Sequence, residues 1–200
     1  MGNLWFTSDT HFMSMGTIIR ENRPFKTAVA FDKYVIDLWN KQVEEEDTIY
    51  HIGDFTDYTD DVSKSWREGL SYVKYIKCDV ILVIGNNEQK IIDNIYKGNF
   101  ESFRNYCINI GFKDVVKDKI LEIDDDTYYH LNHFPSHYKK GYVNLYGHVH
   151  KALGLYSDLG FNMFCDMNYF QLYSKDDIDN LIKTKNTYWV KDKEANFKVK

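Results

Sequence analysis

Apolar residues occur in short runs that stop abruptly at polar ones. Leu4 to Phe6 runs into "TSDTH", "TIYHI" runs into Gly53 and Asp54, and "DVILVIG" (Asp79 to Gly85) runs into Asn86 and Asn87. Such runs, rich in β-branched residues and bounded by turn formers, read as buried strands. Between them Phe31, Tyr34, Val35, Leu38, Trp39 and Val43 recur at helical spacing. Trp66, Leu70, Val73 and Ile76 place a second helix over Asp61 to Lys77. Strand and helix in alternation predict an α/β fold with a parallel sheet.

The second half has a different texture. "DVVKDKILEID", "DTYYHLNHF", "YVNLYGHVH" and "FNMFCDM" are strand-like with few helical intervals, and "SKDDIDNLIKT" is a helix whose Ser174 and Asp177 form a capping signature. "NTYWVKDKEANFKVK" fits either a final strand or a frayed end. The 2 prolines and 11 glycines among 200 residues leave no room for a long linker, so one domain over residues 1–200 is expected. A hydrophobic content of 44% suffices for a sizeable core.

Polar residues of one chemical type cluster where the predicted strands end. Asp9 and His11 follow the first, Asp54 the second, Asn86 the third, and His133, then His148 and His150, follow strands of the second half. In open α/β sheets sites form beyond the carboxyl ends of strands. Asp9/His11 and His148/His150 are each two residues apart, and an extended backbone would send both members of a pair to one side. Carboxylate, imidazole and amide oxygen without thiolate suit Mn, Fe, Zn or Ni. Seven donors exceed one tetrahedral ion and fit two, with a shared carboxylate.

The blocks "SDTH", "HIGDF", "GNNE", "NHFP" and "GHVH", in this order, resemble the signature blocks of the calcineurin-like metallophosphoesterase superfamily. "FTSDTHF", "NRPF", "DTIYHIGDF" and "FNMFCDMNYFQLYSKDDI" further resemble a group of small bacterial and phage-encoded phosphoesterases. The resemblance covers roughly residues 4 to 182 and implies a four-layer α/β/β/α sandwich. It implies that Asp9, His11 and His150 hold one metal, that Asp54 bridges, and that Asn86, His133 and His148 hold the other. Manganese is the ion expected first, then Fe, Ni or Zn. A hydroxide between the ions would attack phosphorus in line.

Two departures bear on catalysis. The family block reads G-N-H-[DE], and its histidine serves the leaving oxygen; here that place is Asn87, which can donate a hydrogen bond but not a proton. Losing a general acid typically costs ~10²- to 10⁴-fold on a leaving group that needs protonation. At "HFMSMGT", where relatives read H-F-G-H-x-N, Met13, Ser14, Met15 and Gly16 imply a more apolar pocket.

Other residues have two readings each. His137, in the loop after "NHFP", is a candidate to replace the acid missing at Asn87. Arg23 in "NRPF" would clamp a phosphate or cap the first loop from the surface. His51 is expected in the core rather than behind the ligands, and His130 behind the sheet. "EEED" (Glu44 to Asp47) and "DDD" (Asp124 to Asp126) read as solvated turns.

Composition narrows the function. With 25 Lys and Arg against 30 Asp and Glu the net charge is −5, which argues against a polynucleotide backbone as partner. Three cysteines in no C-x-x-C pairing fit reduced thiols, and "MGNLWFTSD" lacks a signal-peptide pattern, so a cytoplasm without membrane attachment is expected. Three functions follow: a dinuclear-metal phosphodiesterase on a nucleotide or cyclic nucleotide, a nuclease of the same superfamily, or a non-catalytic metal- and phosphate-binding module. The first fits best, because all seven donors are present and Asn87 handicaps monoesters with poor leaving groups.

Overall fold

The computed structural model describes residues 2–58 and 65–186. β1 (Leu4–Thr7), β2 (Thr48–Ile52), β3 (Asp79–Val83) and β4 (Asp114–Val116) lie side by side and parallel, and β10 (Tyr173–Ser174) joins β1 antiparallel. Parallel neighbours need long crossovers, and helices supply them. α1 (Met15–Arg20) and α2 (Ala28–Gln42) link β1 to β2, α3 (Ser65–Ser71) leads to β3, and α4 (Asn86–Asn94) and α5 (Phe100–Ile110) lead to β4.

The α2 spacing seen in the sequence holds: Phe31, Val35 and Trp39 are buried against the sheet, and Thr27 caps its start through Ala30 N at 3.1 Å. The helix expected over 61–77 is α3 followed by a 3₁₀ turn at Tyr72–Tyr75, while 59–64 lie outside the described residues. Tightening of a last turn is a common way to satisfy a helix's final carbonyls. The stretch after Gly85 is not a plain loop, since α4 begins at Asn86.

β2 shows how the layers divide. Ile49 packs toward the helices with Val80, Leu82, Trp39 and Phe103, whereas Tyr50 and Ile52 belong to a second core with Phe6 and Val83. Alternation along a strand produces this split. His51 faces the helix side between Trp39 and Phe55, with Nε2 2.9 Å from Thr10 Oγ1. It is the core histidine expected, and burial pushes its pKa well below the ordinary value.

The second core faces another sheet, ordered β5 (Lys119–Asp124), β6 (Thr127–Leu131), β7 (Val143–Tyr146), β9 (Gly160–Asn162) and β8 (Tyr156–Ser157). Tyr129, Leu131, Leu145 and Phe161 fill it from this side, with Ile178 of α6 (Lys175–Thr184). The architecture is thus α/β, two facing sheets with helices packed on them, as the sandwich expectation requires. Ser174 caps α6 and exchanges hydrogen bonds with Asp177. "FNMFCDM" contributes a strand only at its start and then a 3₁₀ turn at Cys165–Asn168. Residues from 187 on, including most of "NTYWVKDKEANFKVK", lie outside the described residues.

The second sheet is not a meander. β5 and β6 form an antiparallel hairpin, but β6, β7 and β9 run parallel. The carboxyl ends of β6 and β7 therefore lie at one edge, where a meander would have put them at opposite edges. His130, alternating with Tyr129 and Leu131, is buried on the far face and bonded through Nδ1 to Asn144 Oδ1 at 2.9 Å.

Asp47 corrects the solvated reading of "EEED". It is 2% exposed and accepts from Asn3 N (2.6 Å), Trp5 Nε1 (2.9 Å) and Glu44 N (2.9 Å). These hydrogen bonds outweigh the cost of burial and hold its carboxyl below the usual range. They pin the starts of β1 and β2 together. Asp124 to Asp126 are exposed as expected. Asp47→Ala is expected to destabilise the fold by about 2–3 kcal/mol, because it strands donors that the carboxylate satisfied; urea unfolding with an unchanged m-value measures it.

Candidate metal centre

The five strands whose ends carry candidate donors all deliver them to one place. Asp9 follows β1, Asp54 β2, Asn86 β3, His133 β6 and His148 and His150 β7. Main-chain bonds lace the ends together: Asp9 N to Gly53 O at 3.0 Å, His11 N to Asp54 O at 3.0 Å, Gly147 N to His133 O at 3.1 Å. His148 N donates to both oxygens of Asp9 at 3.1 Å, which ties the second sheet to the first.

The side chains form one connected set. His11 Nε2 lies 4.0 Å from Asp9 Oδ1, 3.8 Å from Asp54 Oδ2 and 3.2 Å from His150 Nε2. His150 Nε2 lies 3.6 Å from Asp9 Oδ1, and His133 Nε2 3.7 Å from Asp54 Oδ1. Asn86 Oδ1 is 3.1 Å from His133 Nε2 and 2.8 Å from His148 Nδ1. All seven residues singled out in the sequence therefore meet. Asp9, His11 and His150 form one cluster with donor atoms within 4.8 Å of one another, and Asp9, Asp54 and His133 form another. The two oxygens of Asp54 turn one to His11 and one to His133.

Tautomers make this set a candidate cation site. His133 Nδ1 donates to Ile52 O at 2.9 Å, His11 Nδ1 to Asp57 Oδ1 at 2.5 Å, and His150 Nδ1 to Glu21 Oε1 at 2.8 Å. Each leaves the Nε2 lone pair pointing inward. Facing lone pairs, as between His11 and His150, repel unless a cation stands between them, and a ligating imidazole whose outer N–H is held by a carboxylate or carbonyl is the usual arrangement. The residues fit two divalent ions. Burial lowers the pKa of His11, but Asp57, Asp54 and Asp9 outweigh it and raise it. Burial, with His133 beside it, lowers that of His148.

The backbone departs from the expected extended geometry. Asp9, His11, Asp54, His148 and His150 all have positive φ, between 48° and 72°. Each i, i+2 pair converges through left-handed turns rather than by strand alternation. Gly85 is extended at φ −100°, so its lack of a side chain serves close approach: a Cβ there would fall 2.3 Å from Asp54 Oδ1. At Gly147 a Cβ would fall 2.3 Å from Asp9 Oδ2.

Several supporting residues escaped the sequence reading. Asp57 bonds His11 and, through Oδ2, the Ser14 hydroxyl that caps α1. Burial would raise the Asp57 carboxyl; the bond from His11 outweighs this and lowers it. Glu88 accepts from Asp54 N (2.9 Å), Phe55 N (2.9 Å) and Gly85 N (2.8 Å), fixing the Asp54 turn, while burial beside Asp54 raises its pKa. Only the acid in "GNNE" and the GDxxD spacing of Asp54 and Asp57 signalled these two in the sequence.

Three expectations are corrected, and the place of Asn87 is refined. Arg23 does not face the cleft: its side chain is fully enclosed, paired to Asp166 (2.7 Å), bonded to Thr10 O (2.7 Å) and Asp9 O (3.0 Å), and laid over the Phe31 ring at 4.3 Å. With its donors spent it neither clamps a phosphate nor caps a surface loop. His137 is exposed in the turn Pro135–His137, behind Phe134, whose ring packs on His148 at 4.8 Å. It lines a separate depression and not the cleft. Asn87 Nδ2 donates to Asp54 Oδ2 at 2.7 Å and its N to Oδ1 at 2.9 Å, so its amide holds Asp54 as well as bordering the cleft. The methionines do not make the pocket apolar: Met13 Sδ meets Tyr72 Oη and Met15 Sδ meets Ala28 N, both away from it.

The cleft itself measures about 310 Å³. Besides His11, Asp54, Asn86, His148 and His150 it is bordered by Asp57, Tyr58, Asn87, Arg20 and Lys90, with no aliphatic side chain among the described residues. Two variants separate support from chemistry. Asp57→Asn weakens the bond that orients His11, so manganese binding measured by calorimetry is expected to weaken by about 10- to 100-fold. Arg23→Met leaves Asp166 buried without its partner, so a loss of about 3–5 kcal/mol in thermal or urea unfolding is expected.

The geometry agrees with comparisons to known proteins. A family model described as calcineurin-like phosphoesterase matches residues 2–194. An uncharacterised protein of Methanocaldococcus jannaschii is 29% identical over 89 residues, 44% of this chain and 48% of that protein, so the match spans about half of the relative's length. The crystal structure of a protein of unknown function from Aquifex aeolicus superposes with a TM-score of 0.60 at 24% identity, covering 90% of this chain and 98% of that one, and so shares its fold. Among the described residues no helix is long and apolar enough to cross a membrane.

Proposed function

The chain belongs to the calcineurin-like phosphoesterase family, and we propose that it is a metal-dependent hydrolase of phosphodiesters, acting on a nucleotide or cyclic nucleotide. The observation that supports this most is the inward-facing set of imidazole nitrogens and carboxylate oxygens, with His11, His133 and His150 each held by an outer partner. In this reading Asp9, His11 and His150 hold one ion, Asn86, His133 and His148 the other, and Asp54 spans both. Manganese is the ion we favour, with Fe, Ni or Zn as alternatives. Such ions, when bound, supply an activated water and neutralise charge on phosphoryl oxygens.

The protein's own contribution is orientation. Asp57, Glu21 and the Ile52 carbonyl fix three imidazoles in the ligating tautomer, while Glu88 fixes the Asp54 backbone and Asn87 holds the Asp54 carboxylate between the two halves. No proton donor stands where relatives place a histidine, since Asn87 cannot give up a proton and His137 lies beyond Phe134. Monoesters with poor leaving groups suffer most from that lack, which supports diesters. The three cysteines are unpaired, in keeping with a reducing cytoplasm, and residues 1–200 serve as one catalytic domain.

With manganese, bis-p-nitrophenyl phosphate is expected to turn over at least about tenfold faster than p-nitrophenyl phosphate; both release p-nitrophenolate, which needs no acid, so the ranking reads the preference for a diester by itself. The reverse ranking refutes the diester preference. Chelation should abolish both activities, and turnover that survives it would refute the metal-dependent mechanism.

A further inference from the structure

Two cations border the cleft that the candidate donors do not use. Arg20, in the last turn of α1, is on the side of His150: its neighbour Glu21 holds His150 Nδ1 and accepts from Arg20 Nε at 3.1 Å. A second bond, from its terminal nitrogen to Thr17 Oγ1 at 2.9 Å, fixes the guanidinium plane while the side chain stays 55% exposed. Lys90 borders the same cleft, one helical turn beyond Asn86 on α4, exposed and with no ion pair among the described residues. The lysine is the mobile cation and the arginine the oriented one.

These positions are informative because the scissile group does not need them. Its charge is met by the ions that the seven donors would hold, and the nearest buried cation, Arg23, is wholly occupied by Asp166 and main-chain carbonyls. Two exposed cations on the border of one polar cleft mark a binding site for further negative charge. Among the described residues the cleft has no aliphatic wall that would select an apolar ester arm.

We propose that Arg20 and Lys90 hold a second phosphate flanking the scissile diester, so that the substrates are short phosphorylated oligonucleotides of dinucleotide size rather than cyclic mononucleotides. This rests on the reading of the cleft as a phosphodiesterase site. A cyclic mononucleotide has a single phosphate and brings no second anion to Lys90 or to the exposed part of the Arg20 guanidinium. The net charge of −5 sets an upper limit, since a long polyanionic strand is repelled by it.

The test compares dithymidine monophosphate with its 5′-phosphorylated form, which differ only in the second phosphate, on the manganese-loaded protein. The wild type is expected to prefer the phosphorylated dinucleotide in kcat/KM by about tenfold, the scale of one partly exposed charge-assisted contact. The preference is expected to fall to less than about threefold in Lys90→Glu and to return in Lys90→Arg, with Arg20→Ala lowering it as well. Equal kcat/KM for the two substrates in the wild type, or a preference retained in both Lys90→Glu and Arg20→Ala, overturns the proposal. Hydrolysis of bis-p-nitrophenyl phosphate reports separately on the diesterase reading. If no diester is cleaved, calorimetric binding of thymidine 3′,5′-bisphosphate against thymidine 5′-monophosphate decides the subsite: tighter binding of the bisphosphate that is lost in Lys90→Glu supports it, and equal binding overturns it.

Discussion

Asp9 is the residue on which the two sheets converge. Its N–H goes to Gly53 O at the end of β2, its C=O accepts from buried Arg23, and its carboxylate accepts His148 N–H from the end of β7. The same carboxylate faces His150 Nε2 at 3.6 Å. A fully buried carboxylate is costly unless every lone pair is met. Here the partners come from both sheets, so satisfying one anion fixes how the sheets sit at the edge where the site lies. Gly147 is part of that bargain in space, since any Cβ there would collide with Asp9.

The centre carries strain that the surroundings hold in place. Left-handed backbone costs an L-residue roughly 1–2 kcal/mol, and five of the seven donor-bearing residues adopt it. Such conformations persist only where neighbouring structure over-determines them. The neighbours here are charged pairs and main-chain bonds: Arg23 with Asp166 beneath the Asp9 turn, Glu88 beneath the Asp54 turn, and Glu21 and Asp57 behind the imidazoles. The rigid shell is therefore electrostatic, whereas the two cores on either face of the first sheet are aromatic and aliphatic.

That division explains which functional residues could be read in advance. Residues such as Asp54 and His133 follow apolar runs directly, and their chemistry together with their place after a strand marks them. Asp57, Glu21 and Asp166 carry no such mark, because a carboxylate that supports a ligand looks like any other surface acid until its partner is known. Arg23 misled for the same reason: a guanidinium suits a phosphate and a buried carboxylate equally, and only the fold brings Asp166, 143 residues away, to meet it. Met13 and Met15 suggested an apolar pocket by their composition alone, yet Ser14 starts a helix there and turns both away from the cleft.

The sequence by itself determined β1, β2 and β3, the amphipathic α2, the cap of α6 and which residues are candidate donors, because these depend on local periodicity and on side-chain chemistry. Tertiary structure alone decided the rest. The parallel pairing of β6 with β7 put His133 and His148 at one edge, and left-handed turns, not strand alternation, aimed the paired donors inward. Phe134 set His137 apart, and α1 and α4 brought Arg20 and Lys90 to the rim. Each of these depends on contacts between residues far apart in the chain, whose energies no local pattern records.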